Sequence, residues 1–399
     1  MGLEIKCRNC HESNLDKILD FGKMPLAGGF LSSLNEIDNE IFYDLEVVIC
    51  NQCSLIQIPR SIDPNILFSD YSFSSSTIPF LVNHFADLAF EINERFKPKS
   101  FFEIGCNDGV LLKPLSELGI DVFGIDAAPN IVSVAKEKGL DVMSGLFNYE
   151  VSNGIREQYG LFDIISASNA FPHNDLPHEI LKGVGNLLTD NGILILEIMY
   201  CGDLYEQNQW DTLYHEHLNF YSLKSLSSVL LNHGLKIFDL QRLPMHGGSL
   251  RVYASKKELA ANKSVDELST FELSLGLSNV DKWFEFASTT RRQIARTKDL
   301  VGLLASHRNV YAYGAAGKAT MWLNACGLSD VKKVVDASPF RYGKYMPGTH
   351  TPIISPEAFK SQNPDYVMVT AWNYLEAIRS QEQNYAGYWI TPLPELRIY

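Results

Sequence analysis

The sequence is poor in positive charge and in long apolar runs. Its 399 residues include 34 Lys and Arg against 47 Asp and Glu, a formal net charge of −13. No long basic run occurs, which argues against a nucleic-acid ligand. No run of about 18 apolar residues occurs, which argues against a membrane-spanning helix. The first residues, MGLEIKCRNC, have no apolar core like that of a signal peptide, so we expect a cytoplasmic globular protein.

Cysteine is also scarce, but its spacing is informative. Four of the seven cysteines form two CxxC pairs, Cys7 with Cys10 and Cys50 with Cys53. Without an export signal, a disulfide framework is not expected. Four thiolates complete the tetrahedral sphere of zinc and leave no open position for water, so we predict a structural zinc site. The alternative is four reduced cysteines without metal.

The length predicts two or three domains, and the pattern divides the chain into three segments. Residues 1–75 are short β-like runs, with VVIC and SLIQI flanking the second CxxC pair as a hairpin. In residues 76–275, apolar runs of strand length such as FDIISASNAF and GILILEIMY alternate with helical patterns, which is typical of a parallel sheet. Residues 276–399 begin with a long helical pattern and continue as a second, smaller α/β unit. The predicted fold class is therefore α/β.

A glycine-containing turn follows the first strand of the central segment. It reads EIGCNDG and contains Glu103, Gly105 and Asn107, and Asp126 ends the next strand about twenty residues later. Glycines let a ligand approach the backbone, and an acid at the second strand end can accept both hydroxyls of a ribose. The spacing differs from the G-x-G-x-x-G of dinucleotide binders and favours S-adenosylmethionine over NAD. Asn169, after the fourth strand, is a further candidate contact; the alternative is ordinary loop residues of an α/β fold.

The stretch Tyr214–His217 reads YHEH and places a phenol, two imidazoles and a carboxylate in sequence. It follows a predicted strand and lies near the carboxyl edge of the sheet, where open α/β folds bind ligands. A neutral imidazole accepts protons near pH 7, Glu216 can orient it, and Tyr214 can donate to an oxyanion. The alternatives are a metal site formed by His215 and His217, and a polar loop with one buried histidine.

The last segment has its own candidate ligand-binding residues. Gly314 and Lys318 belong to GAAGKAT, which suggests a phosphate cradle but lacks the spacing of an ATP-hydrolysing P-loop. Asp336 ends the following strand, where a dinucleotide-binding unit also has an acid. In MHGGSLRVY, Arg251 either belongs to a buried strand or contacts a substrate phosphate.

Five motifs together resemble those of the zinc-containing sugar C-methyltransferases, which act on nucleotide-linked deoxysugars. They are CxxC…CxxC, DPNILFSDYSFSSS, FEIGCNDG, YHEH with HGGSLRVY, and DASPFRYGKYMPGTHTPI, and they span nearly the whole chain. The resemblance implies a zinc-binding domain over 1–75, a Rossmann-like S-adenosylmethionine methyltransferase domain over 76–275, and a Rossmann-like nucleotide-sugar domain over 276–399. It also implies a monomer or small homo-oligomer.

The implied reaction is methylation of C3 in a dTDP-4-keto deoxysugar. A base removes the C3 proton, which the C4 ketone acidifies, and the resulting enolate takes the methyl group of S-adenosylmethionine. In this resemblance His217 is the base, Tyr214 and Glu216 line the sugar site, and Tyr71 reaches it unless Phe73 occupies that position. The resemblance implies nucleotide contacts at Gly314, Lys318, Asp336, Lys344 and Tyr345, and His215 and Arg251 are our further candidate substrate-binding residues.

The chain departs from the family pattern beside the reacting centre. EIMYCGDL stands where relatives have a Glu-Phe-Pro-His run, which leaves the sugar class open. The rival enzyme is an S-adenosylmethionine-dependent methyltransferase of another nucleotide-linked or non-sugar ketone, or of oxygen or nitrogen. A zinc scaffold that senses S-adenosylmethionine is the non-enzyme alternative.

Overall fold

The computed structural model describes residues 5–68, 71 and 73–399, and it forms three domains. The elements of the first domain are β1 Leu15–Pro25, β2 Phe42–Cys50, β3 Ile56–Gln57 and α1 Pro64–Phe68. β1, β2 and β3 pair antiparallel, and the β2–β3 turn carries the second CxxC pair. The predicted hairpin is thereby confirmed.

The central domain alternates strands and helices as the sequence predicts. Its first half contains α2 Pro79–Phe96, β4 Ser100–Ile104, α3 Leu112–Glu117, β5 Asp121–Asp126, α4 Pro129–Glu137, β6 Val142–Ser144, α5 Tyr149–Tyr159, β7 Phe162–Ser168 and α6 Pro177–Leu187. Its second half contains β8 Leu188–Met199, α7 Cys201–Glu206, β9 Asn219–Phe220, α8 Leu223–Leu231, β10 Lys236–Leu243, β11 Ser249–Ser255 and α9 Lys263–Leu275.

Seven of these strands form one sheet in the order β10-β11-β8-β7-β4-β5-β6. β11 runs antiparallel to both of its neighbours, and the other pairings are parallel. From β4 the chain proceeds to β5 and β6 on one side and to β7 and β8 on the other. The crevice above the β4–β7 pair is therefore the topological switch point, where open α/β sheets bind ligands.

The last domain is a second, mainly parallel α/β unit. Its elements are α10 Val280–Ala305, β12 Val310–Tyr313, α11 Gly317–Ala325, β13 Val334–Val335, β14 Ile353–Ile354, α12 Pro356–Gln362, β15 Tyr366–Val369, α13 Leu375–Gln381, β16 Tyr388–Thr391 and β17 Arg397–Ile398. The sheet order is β14-β13-β12-β15-β16-β17, with β17 alone antiparallel. The switch point lies at β12, immediately before α11.

The three domains share packing and one sheet. β9, from the segment after YHEH, pairs antiparallel with β3 and so completes the N-terminal sheet. One apolar core joins all three domains and includes Ile18, Trp210 and Trp322. The YHEH loop is therefore held between the zinc-binding sheet and the last domain. No helix in the described part of the chain has both the length and the apolar character needed to span a membrane.

Within the residues that the structure describes, seven short 3₁₀ helices connect these elements. They are Leu34–Asn39, Ser75–Thr77, Phe171–His173, Trp210–Thr212, Met245–Gly247, Pro339–Arg341 and Trp372–Tyr374. Three of them, at 171–173, 210–212 and 245–247, bring side chains to the site described next.

Candidate active site

The glycine turn after β4 is shaped for close approach to the backbone. Gly105 has φ +74°, and a Cβ added there would overlap the Cβ of Ala170. Only glycine combines a left-handed conformation with that absence of side chain. The next turn residue, Asn107, donates its backbone N–H to the Asp126 carboxylate at 2.8 Å. The turn after β4 and the acid after β5 thus meet at the carboxyl edge, as predicted.

Two further groups at this edge fit a polar cofactor. Glu103 is buried, and its Oε2 has no hydrogen-bond partner within the residues described. Burial, with the nearby negative charges of Asp126 and Glu197, raises the pKa of Glu103 well above its ordinary value. Asn169 adopts φ +55° and donates its N–H to the Glu197 carbonyl at 2.7 Å. An unpaired buried carboxyl oxygen requires a donor, which hydroxyl and ammonium groups of S-adenosylmethionine can supply.

The glycine turn after β4, called the cofactor turn below, also holds residues 74–76. Asp108 accepts hydrogen bonds from the hydroxyls of Ser74, at 2.6 Å, and Ser76, and Lys138 lies 3.3 Å away. Burial acts to raise the pKa of Asp108, but these bonds outweigh it and lower the pKa. Most of DYSFSSS is therefore anchored beside the cofactor turn; its Asp70 and Ser72 lie outside the described residues.

His217 has a fixed tautomer. Its Nδ1 lies 2.7 Å from the Thr212 carbonyl oxygen, which can only accept, so Nδ1 carries the proton and Nε2 keeps its lone pair. Burial lowers the pKa of His217 well below 6.5, and the neighbouring His173, His246 and Lys318 lower it further. The imidazole is therefore neutral at pH 7 and able to accept a proton at Nε2.

Aromatic rings of the central domain surround this imidazole. The ring of Tyr214 lies 4.0 Å from that of His217, and the ring of His173 lies 4.9 Å away. Burial lowers the pKa of His173 and of His246 to about 4. His173 follows β7 at the cofactor edge, whereas Tyr214 packs on the backbone of Gly317 at the start of α11. The His217 imidazole therefore lies between the two switch points.

The residue before Thr212 joins the loop to the last domain. Asp211 is fully buried and accepts hydrogen bonds from the indole nitrogens of Trp322, at 2.9 Å, and Trp372, at 2.8 Å. Lys318 lies over the Trp372 ring, with Nζ 4.5 Å from the ring centroid. These contacts fix the position of α11 relative to the loop that carries His217.

Glu216 and Tyr71 lie on the other side of the loop. The Glu216 carboxylate adjoins Gly28 of the first domain, where an added Cβ would lie 3.3 Å from Oε1. Burial raises the pKa of Glu216 to about 7, against the opposing effect of the Gly28 N–H. Burial and the nearby carboxylate of Glu216 raise the pKa of Tyr71, and Arg341 acts in the opposite direction. All three domains therefore contribute to this part of the site.

Arg341 was not among the residues singled out from the sequence. Its Nη1 lies 3.1 Å from Oδ2 of Asp336, and its guanidinium carbon lies 5.3 Å from the centroid of the Phe30 ring. Its Nε is buried and has no partner among the residues described. Arg341 belongs to PFRYGKY, the segment for which the resemblance implies nucleotide contacts by Lys344 and Tyr345.

Two predicted substrate contacts have other neighbours in the structure. Arg251 is buried on β11, where its guanidinium donates to Glu197 at 2.6 Å and Glu91 at 3.0 Å. His215 is buried and faces Tyr43 of β2, with ring centroids 6.0 Å apart. Both residues therefore make contacts within the protein. A substrate role for either residue stays a prediction.

Two of the predicted nucleotide-contacting residues, Gly314 and Asp336, immediately follow β12 and β13. Gly314 has φ +101° and no room for a Cβ beside Ala371. Asp336 accepts the N–H groups of Ala315, at 2.7 Å, and Ser338, at 2.8 Å. The partly buried Lys344 precedes Tyr345, whose backbone pairs with Leu31 of the first domain.

The four predicted zinc ligands converge. Their Sγ atoms all lie within 4.8 Å of one another, with Cys7–Cys53 at 3.5 Å and Cys10–Cys50 at 3.4 Å. A tetrahedral Zn–S₄ site with bonds of about 2.3 Å has S–S edges of about 3.8 Å, so the four thiols fit zinc. The set is complete without water, as a structural site requires.

Comparison with protein families agrees with this architecture. A family model named for zinc binding matches residues 7–68, a methyltransferase domain model matches 81–240, and a C-methyltransferase C-terminal domain model matches 244–394. The last match begins before β11, inside the segment predicted to end at 275.

Individual relatives extend the comparison. The chain is 33% identical to C-methyltransferase NovU from Streptomyces niveus over 405 residues, which cover 98% of this chain and 96% of that protein. It is 35% identical to a mitochondrial ubiquinone biosynthesis O-methyltransferase of Saccharomyces cerevisiae over 24% of this chain and 32% of that one. The CcbJ methyltransferase structure from Streptomyces caelestis aligns with 50% of this chain and all of its own, at 11% identity and a TM-score of 0.40. The chain thus belongs to the zinc-containing, S-adenosylmethionine-dependent C-methyltransferase family.

Proposed function

We propose that the protein methylates C3 of a nucleotide-linked 4-keto deoxysugar, with dTDP as the nucleotide, and that His217 is the base. The observation that carries this proposal is the hydrogen bond from His217 Nδ1 to the Thr212 carbonyl, 2.7 Å long. It leaves Nε2 as a lone-pair acceptor beside His173 and the cofactor edge. An O-methyltransferase acting on an already acidic hydroxyl has less need for such a base.

The chain's own residues divide the work of the reaction. S-adenosylmethionine supplies an electrophilic methyl group on sulfur. His217 removes the C3 proton, because a neutral imidazole held in one tautomer is an effective general base. Tyr214 and Tyr71 keep their phenols protonated, since burial raises the pKa of both, and so serve as donors to the sugar. Glu216 lines the sugar site with them.

We also propose that the last domain holds the nucleotide. The support is the left-handed Gly314 at the β12 switch point, the start of α11 behind it, and the partly unpaired guanidinium of Arg341. An arginine fork suits a diphosphate. Lys344 and Tyr345 are the further contacts proposed. The boundaries 1–75, 76–275 and 276–399 are part of the same proposal.

The test of the base compares His217→Asn with His307→Asn, a matched change at an exposed histidine after α10. Removing a general base costs on the order of 100- to 10,000-fold in rate. We expect that loss in His217→Asn only, with S-adenosylhomocysteine affinity unchanged in both variants. Near-normal turnover of His217→Asn would remove the proposed role, and His215 would be the next candidate.

The acceptor is tested separately by thermal shift with dTDP and UDP. A ligand that binds only the native state raises the melting temperature, and a ligand concentration of 100 Kd adds about 2.7 kcal/mol to the free energy of unfolding. We expect dTDP to stabilise the protein more than UDP. If neither nucleotide shifts the transition, the rival acceptor, a non-sugar ketone, is favoured.

A further inference from the structure

Lys318 has a buried ammonium group without a partner. Its Nζ has essentially no exposed surface and no hydrogen-bond acceptor among the residues described, and it rests on the Trp372 ring. Burial lowers the pKa of Lys318, and Asp211, whose Oδ2 is already shared by two indoles, acts in the opposite direction. An unpaired buried ammonium is costly, so the geometry indicates that a ligand oxygen completes this position.

The position of Lys318 relates it to the base. It follows Gly317, whose backbone packs against the Tyr214 ring, and Tyr214 in turn packs against His217. Its charge is close enough to lower the pKa of both His217 and His246. The ammonium therefore belongs to the same pocket as the imidazole that accepts the proton.

We infer that Lys318 is a catalytic residue that donates a hydrogen bond to the C4 ketone oxygen and stabilises the enolate oxyanion. This inference rests on the proposed function and adds a group to it. In an α-deprotonation the developing oxyanion is attached to the carbon next to the one that loses its proton. A donor to that oxygen must therefore stand in the base's own pocket, and Lys318 does.

The step balances without a further reactant. The C3–H bond breaks and its proton goes to Nε2 of His217, while the electron pair forms the C3–C4 double bond and leaves C4–O as an oxyanion. Lys318 stays protonated and provides the opposite charge. The pair then forms the new C3–CH₃ bond as the methyl–sulfur bond breaks, with its electrons on sulfur, and the ketone is restored.

The pattern GAAGKAT suggests instead that Lys318 binds a phosphate. The structure favours the ketone oxygen, because the ammonium lies on Trp372 and close to His217 and His246, whereas the Arg341 guanidinium lies beside Phe30 and Asp336. Preorganised donors in such enclosed sites contribute most to oxyanion stabilisation. The two interpretations predict different affinities of a Lys318 variant for dTDP alone.

The experiment uses the full-length protein, a dTDP-4-keto-6-deoxysugar and S-adenosylhomocysteine, and measures deuterium incorporation at C3 from D₂O. The variants are Lys318→Met, Lys318→Arg and the exposed control Lys332→Met. We expect Lys318→Met to slow exchange and methyl transfer together by about 100- to 1,000-fold. Its dTDP affinity should stay within about twofold of the wild type, and Lys318→Arg should recover part of the rate.

Thermal unfolding distinguishes a loss of activity in Lys318→Met from a failure of this variant to fold. Because Lys318→Met removes an unpartnered buried charge, its melting temperature should equal or exceed that of the wild type. Normal exchange at saturating acceptor, with dTDP affinity at least about tenfold weaker, would overturn the inference and assign Lys318 to a phosphate. If the wild type exchanges no nucleotide sugar but methylates another ketone, the proposed function fails. The same comparison on that ketone then decides the role of Lys318.

Discussion

Replacement of Gly105 by alanine tests the shape of the cofactor turn. Gly105 has φ +74°, and an added Cβ would overlap the side chain of Ala170. The left-handed conformation costs a non-glycine residue about 1–2 kcal/mol. The overlap, like other overpacking, adds about 1–3 kcal/mol. We therefore expect Gly105→Ala to lose about 2–5 kcal/mol, divided between stability and S-adenosylmethionine affinity.

Two variants separate these contributions. Gly119 has φ +83° and no atom within 4 Å of an added Cβ, so Gly119→Ala carries the conformational cost alone. Ala170→Gly in the Gly105→Ala background removes the overlap and should recover the larger part of the loss. Such a pair isolates the contact because the two residues touch directly.

The assay is urea unfolding together with calorimetric titration of S-adenosylhomocysteine. Gly105→Ala should bind the ligand at least about tenfold more weakly than Gly119→Ala, with partial rescue by Ala170→Gly. The reasoning is refuted if Gly105→Ala matches Gly119→Ala in both stability and affinity. It is also refuted if Ala170→Gly rescues nothing.

Three further predictions concern the loop and the zinc. Asp211→Ala leaves the indoles of Trp322 and Trp372 without an acceptor, so the free energy of unfolding should fall by about 2–6 kcal/mol. Urea denaturation measures this difference, and an unchanged free energy would contradict the prediction. Because burial raises the pKa of Glu216 from 4.5 to about 7, its ionisation lowers the wild-type free energy of unfolding as pH rises through that interval, by at most about 3 kcal/mol. Glu216→Gln lacks this loss, so the melting temperature of the variant should rise relative to that of the wild type between pH 5 and 7. A difference in melting temperature that does not change with pH would contradict the prediction. Cys53→Ser should lower the zinc content measured by atomic emission and destabilise the protein by several kcal/mol, whereas full zinc retention would contradict a four-thiolate site.

The sequence was sufficient for the architecture because periodic and turn signals there are strong. The alternation of apolar runs and helical patterns predicts the seven-stranded sheet and the second α/β unit, and the long helix α10 lies where its pattern predicts it. The CxxC spacing predicts the four-cysteine cluster, because four thiolates complete a tetrahedral zinc site. Each of these signals lies within a short stretch of sequence.

The arrangement between domains was not predictable in the same way. Nothing in the local sequence indicates that β9 joins the N-terminal sheet or that Gly28 meets Glu216. The hydrogen bond from Trp322 to Asp211 and the proximity of Arg341 to Tyr71 each join residues more than a hundred positions apart in sequence. Arg251, singled out from its motif, pairs with two carboxylates that the motif does not reveal.

The central claim is that the His217 imidazole removes a proton from a carbon beside a ketone. The most direct test incubates the protein with a dTDP-4-keto-6-deoxysugar and S-adenosylhomocysteine in D₂O and follows C3 by mass spectrometry. We expect deuterium at C3 with the wild type and with His307→Asn, and none above background with His217→Asn. Equal incorporation by His217→Asn and the wild type would contradict it.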